Sequence, residues 1–185
     1  MAYCKKREEE KQLKKINVMV YMAFMVTLEI ICTRFLAIET PIIRIGFGFI
    51  PVAMAGMMFG PLLAGIVGVV SDILGMIIFP KGAYFPGFTL SAFVGAVIYG
   101  FFFYRKNVSL KRVILAVGII TLFVNLTMNT IWLTIITGKA AKILLIPRSI
   151  KEATMFPIHI VLIYTVWKLV DKFEFVPRLI TKSNK

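Results

Sequence analysis

The sequence predicts an all-α polytopic membrane protein: six transmembrane helices in a compact bundle, the second one short, with both termini cytoplasmic. Three observations carry this. The 185 residues are 59% hydrophobic with a mean hydropathy of +0.86, far more apolar than a soluble domain of this size. The apolar residues fall into runs separated by Gly, Pro and charged breaks. Lys and Arg gather in alternate connections, the pattern that sets membrane orientation.

Each element follows in order. Residues 1–15 are a basic N-terminal tail in which Lys5, Lys6, Arg7, Lys11, Lys14 and Lys15 mix with Glu8, Glu9 and Glu10. Those acids, the long apolar run that follows and the lack of a small-x-small cleavage site argue against a cleavable signal. The first span is 16–38. The second, 47–60, has Pro51 near its start. At about 1.5 Å per residue it is too short for a hydrocarbon core of about 30 Å. It either stops early or packs inside the bundle. Gly60-Pro61 breaks the chain with hardly any loop. The third span is 62–79, the fourth 87–104, the fifth 110–137 and the sixth 149–170. Residues 16–172 thus form the membrane domain, and 173–185 a second basic tail. Cys4 falls in the first tail and Cys32 inside a span, so no disulfide is expected.

Orientation rests on the cations. Six spans place both termini on one side. The N-terminal tail, the 4–5 loop (Arg105, Lys106, Lys111, Arg112) and the C-terminal tail (Lys168, Lys172, Arg178, Lys182, Lys185) are all basic and therefore cytoplasmic. The outer connections carry Arg34, Arg44, Lys81, Lys139, Lys142, Arg148 and Lys151 against Glu39 and Glu152. That outer basicity runs against the rule. An anionic ligand arriving from outside accounts for it; so does the tolerance of short outer loops for a few cations. The net charge of +13 is thus a matter of membrane topology, not of nucleic acid.

Small residues mark where helices approach closely in lipid. Gly56, Gly60, Ala64 and Gly68 form one stripe, and Ala92, Ala96 and Gly100 another. Span one instead offers Ala23 and Thr27, a pair suited to docking another membrane protein. Polar residues inside spans face the bundle interior because lipid penalises them. Thr121, Asn125, Asn129 and Trp132 share one face of span five; Arg148, Glu152, Met155 and His159 share one face of span six. Asp72 lies in span three, and Glu29 and Arg34 in the outer half of span one. Asn125, Glu29 and His159 read as interhelical partners. Asn129 and Trp132, nearer the outer end, read as ligand contacts.

The segment 79–93 cannot be regular helix throughout. Pro80 and Pro86 each remove a backbone donor, and Gly82 and Gly87 permit turns. Its rings either sandwich a flat ligand in a cavity or form an interfacial aromatic belt. Several chemistries drop out. There is no G-x-x-x-x-G-K-[ST] loop, no H-E-x-x-H or Cys cluster and no G-x-S-x-G, and one His is present. No metal and no cofactor is expected, and no means of hydrolysing ATP. No two-fold repeat of the kind many secondary transporters show is evident. A capture subunit that draws its energy from elsewhere fits these exclusions.

The runs Arg44-Ile45-Gly46-Phe47-Gly48-Phe49-Ile50-Pro51, Phe59-Gly60-Pro61-Leu62, Ser71-Asp72 and Phe79 to Phe93 resemble the folate-specific substrate-binding (S) component of energy-coupling-factor vitamin transporters. The resemblance spans roughly residues 16–172, and Gly-Ala-Tyr-Phe-Pro-Gly-Phe-Thr-Leu-Ser-Ala is its most specific part. It implies a non-catalytic subunit of the cell membrane, embedded in the bilayer, with a vitamin pocket open to the outside and closed by the 1–2 and 3–4 loops. It implies a membrane coupling subunit and two cytoplasmic ATPases as partners, and uptake by toppling of the whole component. The family often docks through Ala-x-x-x-Ala on span one; Ala23 and Thr27 hold the matching positions.

A folate gives the polar residues roles. The donor-donor edge of the pterin suits Asp72, Glu152 or Asn129 as acceptor. Phe47, Tyr84, Phe88 and Trp132 offer rings to stack. The glutamate carboxylates suit Arg34, Arg44, Lys81 or Arg148. Gly48 and Ser91, inside the matching runs, complete the expected site. Another vitamin such as thiamine or riboflavin is the alternative within the class. A small membrane enzyme or assembly factor is the alternative outside it.

Overall fold

Residues 2–39, 44–80, 84–138 and 140–172 are described by a computed structural model of the protein. Among them the apolar runs become six helices: α1 (Ala2–Arg34), α2 (Phe49–Phe59), α3 (Pro61–Ile78), α4 (Pro86–Phe103), α5 (Leu110–Thr137) and α6 (Ala141–Lys172). In the 1–2 connection, β1 (Ile38–Glu39) and β2 (Arg44–Ile45) pair antiparallel, Ile38 with Ile45 and Glu39 with Arg44. Two expectations need correction. The helix of α1 runs back to Ala2, through the stretch read as a tail. And α6 begins at Ala141 rather than 149, with Pro147 and Pro157 inside it. A proline removes one donor, but in a membrane bundle neighbouring groups can compensate and the helix continues. The second tail, 173–185, lies outside the described residues.

Lys15–Arg34, Pro61–Ile78, Pro86–Phe103 and Leu110–Thr137 are long and apolar enough to cross a membrane. Large side chains such as Leu62, Ile77, Phe101, Leu122 and Phe123 point out of the bundle. Such a surface belongs in hydrocarbon, and the protein is a multi-pass membrane protein. The short α2 takes the interior place: nearly all of it, from Pro51 to Phe59, is buried.

What lets the helices close is a seam of small residues. Gly60 has φ of 85°, a conformation only glycine adopts cheaply. Pro61 then starts α3 where its missing N–H is not needed. A Cβ on Gly56 would sit 2.8 Å from the Gly100 nitrogen, and one on Gly68 would sit 2.9 Å from the Ala92 carbonyl oxygen. A Cβ on Gly100 would collide with the Pro61 backbone. The two predicted stripes are therefore the two sides of one contact, α2–α3 against α4. Ala64, Val67 and Ala96 fill it with essentially no exposure.

Gly68→Leu should destabilise the protein by at least about 1–3 kcal/mol, the usual cost of overpacking. The check is the Tm of the purified protein in detergent; an unchanged Tm would mean that the seam does not determine the packing.

Candidate functional site

Charged and amide side chains cannot face lipid without penalty, and the helices turn theirs into one cavity of about 310 Å³. Its first wall comes from α1 and α3. Glu29, 8% exposed, accepts a hydrogen bond of 2.5 Å from the Ser71 hydroxyl. The Thr33 hydroxyl turns back to the Glu29 carbonyl at 2.7 Å, leaving its methyl toward the chain before α2. Gly48 is required there, since a Cβ would collide with that methyl. Arg34 is buried and its guanidinium lies across α3, where a Cβ on Gly75 would come 3.0 Å from Nε. The Asp72 carboxylate accepts from the Thr89 hydroxyl at 2.7 Å, and Thr89 also pairs with the Tyr84 hydroxyl at 3.2 Å.

The opposite wall comes from α5 and α6. Between Ile120 and Met128, α5 widens into a π-helix. Asn125 Nδ2 donates to Glu152 at 3.1 Å, and Lys151 pairs with the other oxygen of Glu152 at 2.6 Å. Glu152 is 2% exposed and stands behind Asn125. Asn129 borders the cavity, and its buried Oδ1 has no hydrogen-bond partner. Toward the deep end the lining becomes apolar and aromatic: Val52, Ala96, Tyr99, Ile120 and Val124, with the rings of Phe49 and His159 in contact at 4.0 Å. Gly95 leaves open space, because nothing lies within 4 Å of a Cβ placed there.

The aromatic segment does something that neither predicted reading contained. Phe79 packs edge-on against Phe35, just past the end of α1, with ring centroids 5.0 Å apart. Phe85 packs against Trp132 of α5 at 5.7 Å, and Gly87 makes room for that indole. Trp132 Nε1 in turn donates to Ser91 at 3.1 Å. These rings join neighbouring ends of α1, α3, α4 and α5. Phe88 is the ring of this segment that reaches the cavity lining among the described residues.

Of the expected site residues, Arg34, Gly48, Asp72, Phe88, Ser91 and Asn129 line the cavity. Trp132 is linked to it through Ser91 and Glu152 through Asn125, while Tyr84 stands one step further back, bonded to Thr89, which in turn bonds Asp72. Phe47 is exposed and stands off the lining. Arg148 is not among the lining residues; its guanidinium donates to the Asn129 and Asn125 carbonyls, at 3.3 and 3.2 Å. Lys81 and the Arg44 side chain lie outside the described residues. Sequence reading counted Lys151 among the outer cations but not in the site, because the polar face it took for span six ran through Arg148, Glu152, Met155 and His159, whereas Lys151 also lines the cavity. Glu29 and Asn125 make the interhelical hydrogen bonds expected of them, to Ser71 and Glu152, and both also line the cavity. On α1, Ala23 and Thr27 are exposed, and the Thr27 hydroxyl bonds back to the Ala23 carbonyl at 2.9 Å. With Met19, Val20 and Phe24 beside them, that face is apolar.

A helical membrane bundle enclosing a polar cavity, with no catalytic constellation among the described lining residues, is the arrangement of a membrane substrate-binding subunit. Residues 17–170 match the family described as ECF transporter, substrate-specific component, and the chain belongs to that family. It is 73% identical over 173 residues to a folate transporter FolT of Clostridium novyi (strain NT), covering 94% of this chain and all of the relative. It is 30% identical over 151 residues to a folate transporter FolT of Leuconostoc mesenteroides, covering 78% of this chain and 81% of the relative. Its fold is similar to a crystal structure of FolT bound with folic acid, with a TM-score of 0.78, 39% identity, and coverage of 80% and 90% of the two chains.

Glu152→Ala should strip a buried partner from both Lys151 and Asn125. Breaking a buried pair by removing one member costs about 3–5 kcal/mol. The ligand-free protein should therefore melt markedly lower; an unchanged apo Tm would remove Glu152 from the list of fold-holding groups.

Proposed function

We propose that this protein captures folate from outside the cell, as the substrate-specific component of an ATP-driven vitamin importer. The observation that carries this reading is one cavity lined by the Asp72 carboxylate, the Asn129 amide and the cations Arg34 and Lys151. A folate needs that combination. Its pterin presents a donor-donor edge for a carboxylate or amide oxygen, and its glutamate carries carboxylates for cations. The space left open over Gly95 suits a flat ring, with Phe88 beside it. The folate transporters among its relatives support the same ligand. A cationic vitamin such as thiamine would meet Arg34 and Lys151 unfavourably.

In this reading the pterin edge bonds Asp72, with Asn129 as a further acceptor. The glutamate tail meets Lys151 and Arg34, with Arg44 and Lys81 as further candidate cations. Tyr84, Ser91, Trp132 and Glu152 hold the groups that make the contacts. Phe47 and Gly48 border the connection that closes over the ligand. Both termini, with their basic tails, lie in the cytoplasm. A membrane-embedded coupling subunit docks on the apolar face around Ala23 and Thr27, and two cytoplasmic ATPases hydrolyse the ATP.

Calorimetry at micromolar protein should give heat with folic acid in the absence of ATP and metal. No heat, and no competition by reduced folates, would end the folate reading. Within the pocket, Lys151→Ala removes a charge-assisted bond worth roughly 1.5–3 kcal/mol. It should weaken folate about tenfold or more and a pterin lacking the glutamate tail much less. Asp72→Asn should weaken both ligands. Equal losses for Lys151→Ala on the two ligands would move the tail contact elsewhere.

Docking is separable from binding. Ala23→Trp should abolish or sharply reduce uptake in vesicles containing the coupling subunit and ATPases, and leave folate affinity unchanged. A parallel fall in affinity would make the α1 face part of the fold rather than a docking surface.

A further inference from the structure

The last π-type bond of α5 runs from the Asn129 N–H to the Val124 carbonyl. Beyond it the helix returns to α spacing. Shortening the hydrogen-bonded ring from five residues to four skips one carbonyl. The one directly after Val124 belongs to Asn125. A carbonyl left unpaired inside a membrane bundle is unfavourable. Arg148, from α6, donates to that Asn125 oxygen at 3.2 Å and to the Asn129 oxygen at 3.3 Å. The side chains of those same two residues line the cavity.

We infer that Arg148 is a positioning residue: it completes the hydrogen bonding of the π segment and thereby sets where Asn125 and Asn129 face. The angular effect is large. A π-helical stretch accommodates an extra residue, and one residue of α-helix corresponds to about 100° of rotation. If the segment reverted to α spacing, the residues before and after it would turn relative to each other by that much. Asn125 and Asn129 would leave the wall they share with Glu152, or Trp132 would leave Ser91. Glu152 closes the arrangement from the same helix, one turn beyond Arg148, by holding the Asn125 side chain while Arg148 holds its backbone. The guanidinium therefore acts on the ligand through α5, not through its own charge.

The binding arm of the test rests on the folate reading; the exchange arm does not. In the ligand-free protein, hydrogen exchange across 121–130 should rise in Arg148→Gln and rise less in Arg148→Lys, which keeps one donor group. Exchange at wild-type rates in Arg148→Gln would overturn the inference whether or not folate is the ligand. In the binding arm, Arg148→Gln should weaken folic acid and a pteroate lacking the glutamate by the same factor, about tenfold. A loss confined to the glutamylated ligand would overturn it in favour of direct charge contact. In a double-mutant cycle, Arg148→Gln should cost at least about fivefold less affinity when Asn129 is already Ala. Strict additivity would likewise overturn it. A wild-type protein that binds no folate, with faster exchange in the variant, would reject the ligand and keep the positioning role.

Discussion

Every polar group inside the hydrocarbon must find a partner, and this requirement organises the interior. Glu29 is matched to Ser71, Asp72 to Thr89, Asn125 to Glu152, and Arg148 to two backbone carbonyls. Each pair joins different helices. The cavity is what remains between these joints, so its polar lining and the stability of the bundle come from the same bonds. Among the described residues, Asn129 Oδ1 is one of the buried atoms, with the Thr121 and Thr130 hydroxyls, where that matching is incomplete, and it is the one that borders the cavity. Under the folate reading a ligand donor completes it.

Bonds of this kind need the helices close together, and the small-residue seam provides that. Gly56, Gly68 and Gly100 let α2 and α3 lie directly against the backbone of α4. This draws Ser71 and Asp72 toward Thr89 and Ser91. The aromatic rings at one end of the bundle do the complementary work by holding α1 to α3 and α4 to α5. Close packing in the middle and ring contacts at the rim leave a cavity with an apolar deep end and a polar middle. A flat heteroaromatic compound bearing acidic groups fits such a gradient.

Much of this was legible. Hydropathy alone placed the spans, because a chain with so much apolar surface has one stable environment. Gly60-Pro61 announced the hairpin between α2 and α3, since few residue pairs combine a left-handed turn with a helix start. Asp72 and Asn129 stood out because polar residues are rare in spans. Other features were hidden for physical reasons. The π segment carries no breaker, and its side chains, Ile120 to Met128, look like ordinary helix. Lys151 was visible as a cation, but whether it turns inward depends on how α6 packs against its neighbours. Arg148 was taken for a ligand cation because a charge in a sequence shows its sign but not its partner.

By itself, then, the sequence determined the class of solvent, the number and limits of most helices, and which faces could pack closely. These depend on local composition and periodicity, which a chain carries wherever it goes. Tertiary structure alone decided which polar residues share the cavity and which serve the scaffold. Asn125 and Asn129 are one turn apart on the same helix, yet one is held by Glu152 and the other keeps an unmatched oxygen. That difference depends on hydrogen bonds between segments far apart in the chain, and it exists only once α6 lies against α5.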